Sequence, residues 1–117
     1  MKVQYQGQKY TVKFKRIEKQ NHIEKIKQLF REYRDELPID LDFQDFQEEL
    51  ANLPGKYGPP DGVLILAFIK DKEIGCIALR SIYKEICEMK RLYVKKKYRG
   101  LGIGRELVNI LIDEAKI

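Results

Sequence analysis

One stretch of the chain, residues 63–69, is apolar at every position, reading Val-Leu-Ile-Leu-Ala-Phe-Ile. It is far shorter than the ~20 residues that a helix needs to cross a bilayer. A strand with one solvated face would alternate apolar and polar residues, so this run predicts a strand covered on both faces. The chain of 117 residues therefore needs packing layers on either side of a sheet.

Three further segments have the pattern of strands. Residues 10–16 alternate apolar and polar side chains, which is typical of a half-buried strand. Residues 74–83 and 86–94 follow the apolar run after short polar turns, and each predicts another strand. Gly75 lies inside the first of these two, where a glycine indicates a bulge or a close approach of two backbones.

Apolar residues at helical spacing predict three helices. The first begins behind Asn21 and Glu24, which resemble a capping box, and places His22 on its first turn. The second begins after Asp42, and the third at the end of the chain. The predicted order is β-α-α-β-β-β-α, an α/β or α+β layered fold with helices packed on a largely antiparallel sheet. The three apolar stripes are Ile23, Ile26, Phe30, Tyr33 and Leu37; Phe43, Phe46, Leu50 and Leu53; and Ile103, Leu107, Ile110, Leu111 and Ala115.

The composition is that of a globular protein, with 44% hydrophobic and 35% charged residues. No repeat or linker divides the sequence, so residues 1–117 are expected to form one domain. The polar N-terminal segment has no secretory pattern, and no membrane partner is expected, so the predicted location is the cytoplasm. Cys76 and Cys87 fall in predicted strands as small apolar residues, and with a single histidine they predict no metal site.

Charge is distributed unevenly around a formal net charge of +5. Residues 84–105 contain eight Lys and Arg against two Glu, whereas residues 31–50 contain eight Asp and Glu against two Arg. A basic segment suits a phosphate-rich ligand and an acidic one suits a cationic ligand, although two solvated faces would look the same. Nucleic acid is the least favoured partner, because Tyr93 and Tyr98 are too few aromatics for a stacking platform.

The segment 87–107 runs from a strand through a basic turn and three glycines into an amphipathic helix. Gly100, Gly102 and Gly104 carry no side chains, so their backbone N–H groups are accessible to an anion. The helix that they open directs its unpaired N–H groups and the positive end of its dipole at the same place. This pattern predicts a phosphate site, although neither G-x-G-x-x-G nor G-K-[ST] is present.

Residues 99–104, Arg-Gly-Leu-Gly-Ile-Gly, match the R/Q-x-x-G-x-G/A signature of the GCN5-related N-acetyltransferase (GNAT) family. The preceding residues 89–94 resemble the fourth strand of that family. The loop 53–60 and the run 75–80, Gly-Cys-Ile-Ala-Leu-Arg, resemble a bacterial subgroup of acetyltransferases. The resemblance covers nearly the whole chain and implies an enzyme that moves an acetyl group from acetyl-CoA, its co-substrate, to a primary amine on a small molecule or peptide.

The resemblance also implies where acetyl-CoA would bind. Amides of residues 100–105, with the Arg99 side chain nearby, would hold the pyrophosphate, and the main chain of residues 92–94 would pair with the pantetheine arm. An amide near Tyr93 or Val94 would polarise the thioester carbonyl. Lys95, Lys96 and Lys97 would either attract phosphates at longer range or form a solvated charge run. The implied cofactor-binding residues are Leu92, Tyr93, Val94, Arg99, Gly100, Leu101, Gly102, Ile103, Gly104 and Arg105.

Glu88 is the catalytic candidate, because it matches the glutamate that acts as general base in the histone acetyltransferases of the family. An ammonium acceptor must lose a proton before it attacks the thioester, and a carboxylate in the cleft would accept that proton, directly or through a water. The competing interpretation is a strand-edge glutamate paired with Lys90, its neighbour on the same face. Glu85 lies too close to the turn to rank equally.

The family fold continues beyond the helix at residue 117 with a strand, a helix and two more strands, so the chain is expected to be C-terminally truncated. The fourth strand would then be an exposed sheet edge. The expected consequence is a homo-oligomer formed through that edge, or a poorly active domain. The alternative function is a non-catalytic acyl-CoA-binding or interaction domain left by truncation.

Overall fold

The computed structural model describes residues 1–18, 22–38, 43–83 and 86–115 of the chain. Two single-turn 3-10 helices, Gly55–Tyr57 and Lys96–Tyr98, lie in the loops. The strands and α-helices, in chain order, are β1 Lys2–Tyr5, β2 Gln8–Arg16, α1 Ile23–Glu36, α2 Phe43–Ala51, β3 Val63–Ile69, β4 Lys72–Tyr83, β5 Ile86–Val94 and α3 Ile103–Ala115.

The five strands form one sheet in the order β1-β2-β3-β4-β5, and each neighbouring pair is antiparallel. The apolar run of β3 lies at the centre of this sheet, with all of its residues buried. The predicted layered α+β fold is confirmed. β5 is the last strand in the sheet, so one of its edges faces away from β4.

Two apolar cores cover the two faces of the sheet. On one face, Leu64 and Leu66 of β3 pack with the buried residues of α1 and α2. On the other, Ile65 and Ala67 pack with the buried side of α3. Because successive side chains of a strand point to opposite faces, a strand between these layers must be apolar throughout, as the sequence predicted.

The N-terminal hairpin corrects the predicted order. Sequence analysis found no strand before Tyr10, whereas β1 pairs with β2 through the register Lys2 to Thr11. The connecting Gln6 and Gly7 both have positive φ values, 49° and 76°, which is the requirement of a tight two-residue hairpin turn. The strand predicted as the fourth is therefore β5 of the structure.

The start of α1 also differs from the prediction. His22 precedes the helix in a left-handed conformation, with φ 64°, and its side chain makes no capping hydrogen bond. Its ring packs instead against Phe68, with centroids 5.3 Å apart. The proposed capping residue Asn21 lies outside the described residues. At the other end, α1 stops at Glu36, as Pro38 predicted.

Gly75 combines both features expected of it. The register passes from Ala67 opposite Gly75 to Phe68 opposite Glu73, so Ile74 is the extra residue of a bulge. A Cβ atom on Gly75 would lie 2.9 Å from the Tyr93 carbonyl oxygen. The glycine thus allows β4 and β5 to approach closely at the end of the ladder.

Candidate functional site

A second bulge interrupts the ladder between β4 and β5. Cys76 lies opposite Tyr93, but Ala78 lies opposite Lys90, so β5 contains one residue more than β4 across this interval. Arg91 has a φ of 58°, in the left-handed region. A bulge bends its strand and strengthens the local twist. Residues 92–94 therefore run in a different direction from the one they would take in a regular ladder.

The outer edge of β5 presents main-chain groups near Val94. The Lys95 amide donates to the Ile74 carbonyl of β4. Across a trans peptide the N–H and the preceding C=O point in opposite directions, so the Val94 carbonyl faces away from β4. By the same alternation the Val94 N–H faces outward too. Arg99 Nε donates to the outward Val94 carbonyl over 2.7 Å.

The head of α3 presents a second set of amides. Gly100 and Gly102 have φ values of 82° and 85°, and a Cβ on Gly100 would have no neighbour within 4 Å. The first backbone bond into the helix runs from Glu106 to the Gly102 carbonyl, at 3.1 Å. Within the described ranges, no backbone carbonyl accepts from the amides of residues 100–105. This concentration of unpaired N–H groups at a helix N-terminus favours an anion.

The two sets of amides are adjacent. A Cβ placed on Gly104 would lie 3.8 Å from the Val94 Cγ2 atom, and Val94, Leu101 and Ile103 belong to one apolar cluster, so the end of β5 lies next to the head of α3. A ligand lying along the outer edge of β5 would therefore reach the glycine turn without leaving the protein surface.

The Arg99 side chain is held by α1 and β5 in this structure. Its Nη2 atom lies 2.7 Å from Glu36 Oε1, and its guanidinium lies 5.3 Å from the centre of the Tyr93 ring. Of the three lysines that follow β5, Lys95 pairs with Glu32 at 3.7 Å. Lys96 and Lys97 are exposed.

The acidic segment of α1 lies against the basic end of β5. The Tyr93 hydroxyl lies 2.5 Å from Glu36 Oε2 and 3.3 Å from Glu32 Oε1. The hydrogen bonds from Tyr93 and then from Arg99 hold the pKa of Glu36 below its ordinary value. Burial, followed by the bond to Glu36, raises the pKa of Tyr93. Glu32 and Glu36 of the acidic segment thus pair with Lys95 and Arg99 of the basic segment, whereas Lys96 and Lys97 remain exposed.

Glu88 lies on β5 directly opposite Arg80 of β4. Its Oε1 atom is 2.9 Å from Arg80 Nε and 3.9 Å from Lys90 Nζ. Arg80 is thus a closer partner than Lys90, the neighbour considered from sequence. Among the described residues, Oε2 makes no hydrogen bond or ion pair. Glu88 lines a hollow of about 310 Å³ with Tyr33, Met89, Lys90, Arg91 and Leu92.

A larger hollow of about 540 Å³ shares Lys90 and Arg91 with the first one. It lies between α2, the 3-10 turn at Gly55–Tyr57 and the bulge of β5, and sequence analysis did not identify it. Its lining residues are Asp45, Phe46, Glu48, Glu49, Asn52, Leu53, Pro54, Gly55, Lys56, Tyr57, Lys90 and Arg91.

Glu49 and Arg91 form an ion pair at the base of this hollow, with Arg91 Nε 2.9 Å from Glu49 Oε2. Burial would raise the pKa of Glu49, but the hydrogen bonds and charge of Arg91 outweigh it and the pKa is lowered. The only sequence signal for this site is the pair Lys90-Arg91, two adjacent charges that break the alternation expected of a strand.

Neither cysteine has a disulfide partner. The buried Cys76 thiol donates to the Arg91 carbonyl at 3.4 Å, and burial raises its pKa. Over the described ranges, no three His, Cys, Asp or Glu side chains converge into a set that could hold a metal ion. In the same part of the chain, no helix has the length and apolar character needed to cross a membrane.

A model of the acetyltransferase (GNAT) family matches residues 23–116. The chain belongs to this family. An uncharacterized N-acetyltransferase of Dictyostelium discoideum is 31% identical and aligns with 86% of this chain and 74% of its own length. One from Schizosaccharomyces pombe is 41% identical over 95 residues, which are 78% of this chain and 57% of that protein.

Solved GNAT structures share the fold. The GNAT acetyltransferase of Staphylococcus aureus superposes with a TM-score of 0.72 at 27% identity, over 89% of this chain and 66% of that one. The PaiA N-acetyltransferase of Thermoplasma acidophilum, solved in complex with coenzyme A, has a TM-score of 0.69 at 18% identity, over 91% and 72% of the two chains. Both matches agree with the antiparallel sheet between helices described above.

Proposed function

We propose that this GNAT chain binds acetyl-CoA along β5 and the head of α3 and transfers the acetyl group to a primary amine by direct attack on the thioester. The observation that carries the proposal is the continuity of the outward edge of β5 with the amides of residues 100–105. A long ligand with a peptide-like arm and a diphosphate needs both features, in that order. The structural relative solved with coenzyme A supports the same ligand class.

The main chain supplies the binding contacts in this proposal. The outward groups of residues 92–94 pair with the amides of the pantetheine arm as an added strand would. The amides of residues 100–105 bind the diphosphate at the positive end of α3. Arg99 lies between the end of β5 and the head of α3. If a phosphate oxygen replaced Glu36 as the partner of Arg99, the guanidinium would still be paired.

The outward Val94 N–H supplies the electrophilic assistance. As the amine nitrogen bonds to the thioester carbon, the carbonyl oxygen gains negative charge, and a donor already aimed at that oxygen stabilises the transition state. The C–S bond then breaks and coenzyme A leaves as its thiolate, which takes up a proton.

Glu88 is proposed as the general base. Arg80 occupies one carboxylate oxygen and Oε2 is left to accept the ammonium proton, directly or through a water. The hollow that Glu88 lines beside Lys90 and Arg91 is the proposed entrance for the acceptor amine, because an amine there would lie next to the proposed base.

The alternative is an acyl-CoA-binding domain without catalysis. The ion pair between Glu88 and Arg80, at 2.9 Å, favours it, because Arg80 already occupies one of the two carboxylate oxygens. The chain also spans only 57% of one curated relative, so the activity of the whole protein is itself part of the proposal. The cytoplasmic location is likewise part of the proposal. The bacterial subgroup has no support from the two curated relatives, which are eukaryotic.

Self-association through β5 would use the same outward main-chain groups as the pantetheine arm. Met89 and Leu92 are exposed at this edge, at 44% and 40%. We propose that coenzyme A and a second β5 compete for it. Sedimentation of the chain with and without coenzyme A measures this: release of monomer by the ligand supports the competition, and an unchanged mass contradicts it.

The function is tested by acetyl transfer to a panel of primary amines, with acetyl-CoA binding measured on the same samples. Glu88→Gln is expected to reduce kcat by ~10²-fold or more while acetyl-CoA affinity stays the same. Glu73→Gln, on the neighbouring strand at the far end of the ladder, is the matched control. Equal turnover by both variants would remove Glu88 from the mechanism, and binding without turnover in the wild type would favour the alternative.

A further inference from the structure

Arg91 combines an unusual backbone with a fully engaged side chain. It is one of the two β5 residues that lie opposite Ile77 in the bulge. Its φ of 58° is a left-handed conformation, which is less favourable for arginine than for glycine. Its side chain is only 9% exposed and turns towards α2, where Nε and Nη2 donate to Glu49 Oε2 and Oε1 over 2.9 and 3.0 Å. This two-bond fork fixes both the distance and the orientation of the pair.

The surroundings of the fork leave it little freedom. The guanidinium lies 5.9, 5.5 and 5.6 Å from the ring centres of Phe30, Tyr33 and Phe46. On the other side, Glu49 accepts from the Tyr57 hydroxyl at 3.2 Å and pairs with Lys56 at 3.5 Å. The fork therefore connects α1, α2 and the 3-10 turn to one residue of β5.

We propose that Arg91 and Glu49 form a positioning clamp that holds the bulge in β5 and thereby aims the outward main-chain groups of residues 92–94. If β5 lost the bulge while Lys90 stayed opposite Ala78, Leu92 would replace Tyr93 opposite Cys76, and the following side chains would turn to the other face. Such a change would also withdraw the Arg91 guanidinium from Glu49. The clamp makes one register of the strand preferred. Its catalytic consequence rests on the proposed function, since those groups include the Val94 N–H assigned to the thioester.

Stability alone does not explain a buried pair of this kind. Replacing a buried ion pair with apolar side chains of similar size is often neutral or stabilising, because both desolvation penalties disappear. The double variant Arg91→Met with Glu49→Leu should therefore remain folded in the aromatic surroundings described above. It removes the directional fork and keeps the packing, so it separates the two roles.

The register is measured first, on the chain without ligand. Nuclear Overhauser contacts between Ala78 and Lys90 and between Cys76 and Tyr93 report the paired residues. In the double variant we expect these contacts to weaken or to appear as two sets, while circular dichroism and thermal unfolding show a folded chain. Arg34→Met is the control, because Arg34 also stacks on Phe46, at 5.3 Å, but pairs with Asp35. Wild-type contacts in the double variant would overturn the clamp.

Kinetic measurements then test the proposed effect of the clamp on catalysis. For Arg91→Lys, which keeps the charge and loses the fork, and for the double variant, we expect kcat to fall by ~10- to 100-fold. The KM for acetyl-CoA should rise by less than kcat falls, because residues 92–94 hold only the pantetheine arm and the diphosphate amides on α3 are unchanged. Wild-type kcat in both variants, or a loss shared with Arg34→Met, overturns the positioning role. Absence of turnover in the wild type would contradict the proposed function, and the register measurement would still decide the clamp.

Discussion

The Tyr93 hydroxyl of β5 donates a hydrogen bond of 2.5 Å to Glu36 Oε2 of α1. The same carboxylate accepts from Arg99 through its other oxygen, so the end of β5 and the turn that leads to the glycines are both attached to the first helix. The tyrosine ring is buried in the core between them. The position of the β5 edge relative to α3 therefore depends on α1, which touches neither candidate ligand-binding segment through its main chain.

Replacing Tyr93 with phenylalanine removes this hydroxyl and keeps the ring. We expect a loss of about 1.5–3 kcal/mol in the free energy of unfolding, because one hydrogen bond to a charged group disappears while the packing remains. Urea unfolding followed by circular dichroism measures the difference. Tyr5→Phe, in the N-terminal hairpin, is the control, and equal stability of Tyr93→Phe and the wild type would mean that the bond to Glu36 contributes nothing.

The stability of the fold should fall in acid because Glu36 and Glu49 have lowered pKa values in the folded state. A carboxyl group of this kind stabilises the folded state above its unfolded pKa, and the contribution disappears as the pH falls through the folded pKa. The expected loss therefore begins below the ordinary value of 4.5. Thermal unfolding at a series of pH values measures it.

In the same series of pH values, Glu49→Gln isolates the contribution of the Glu49 carboxylate to the pH dependence of stability. The variant should be less stable than the wild type at neutral pH, where Arg91 loses its charged partner, and its stability should depend less on pH below 4.5. Parallel curves for the two proteins would contradict the assignment of a lowered pKa to Glu49.

Gly75 and Gly104 make a matched pair, since a Cβ on either would lie near Val94. At Gly75 the new atom would be 2.9 Å from the Tyr93 carbonyl oxygen, so Gly75→Ala should lower the unfolding free energy by about 1–3 kcal/mol through overpacking. At Gly104 the nearest atom is 3.8 Å away, and alanine in a helix should stabilise by up to about 1 kcal/mol. Destabilisation of equal size by both substitutions would contradict this reading of the β4–β5 contact.

The elements with strong local patterns were predictable from the sequence. β3 and β5 have the predicted bounds, because continuous apolar runs and turn residues are local signals. β1 was missed because it is a strand of four residues, too short for alternation to be recognised. Its turn, Gln6-Gly7, also lacks the Asn or Asp that usually announces such a hairpin.

The candidate site was predictable where it depends on the main chain and not where it depends on packing between distant segments. The glycine turn at the head of α3 was found, since glycine spacing is visible in the sequence. The contact of Glu49 with Arg91 joins residues that are 42 positions apart, and no local pattern reports such a pair. The same holds for Arg80, which lies opposite Glu88 only because of the β4–β5 register.

Binding of acetyl-CoA to Gly102→Val, measured by titration calorimetry beside the wild type and Gly7→Val, tests whether the glycine turn at the head of α3 binds the diphosphate. Gly102 and Gly7 both have left-handed backbones, with φ 85° and 76°, so valine introduces similar strain at each position, but only Gly102 belongs to the amides assigned to the diphosphate. We expect Gly7→Val to bind acetyl-CoA like the wild type, whereas Gly102→Val should lose at least ~10-fold in affinity. Equal affinity of all three proteins, or no binding by the folded wild type, would contradict this role of the glycine turn.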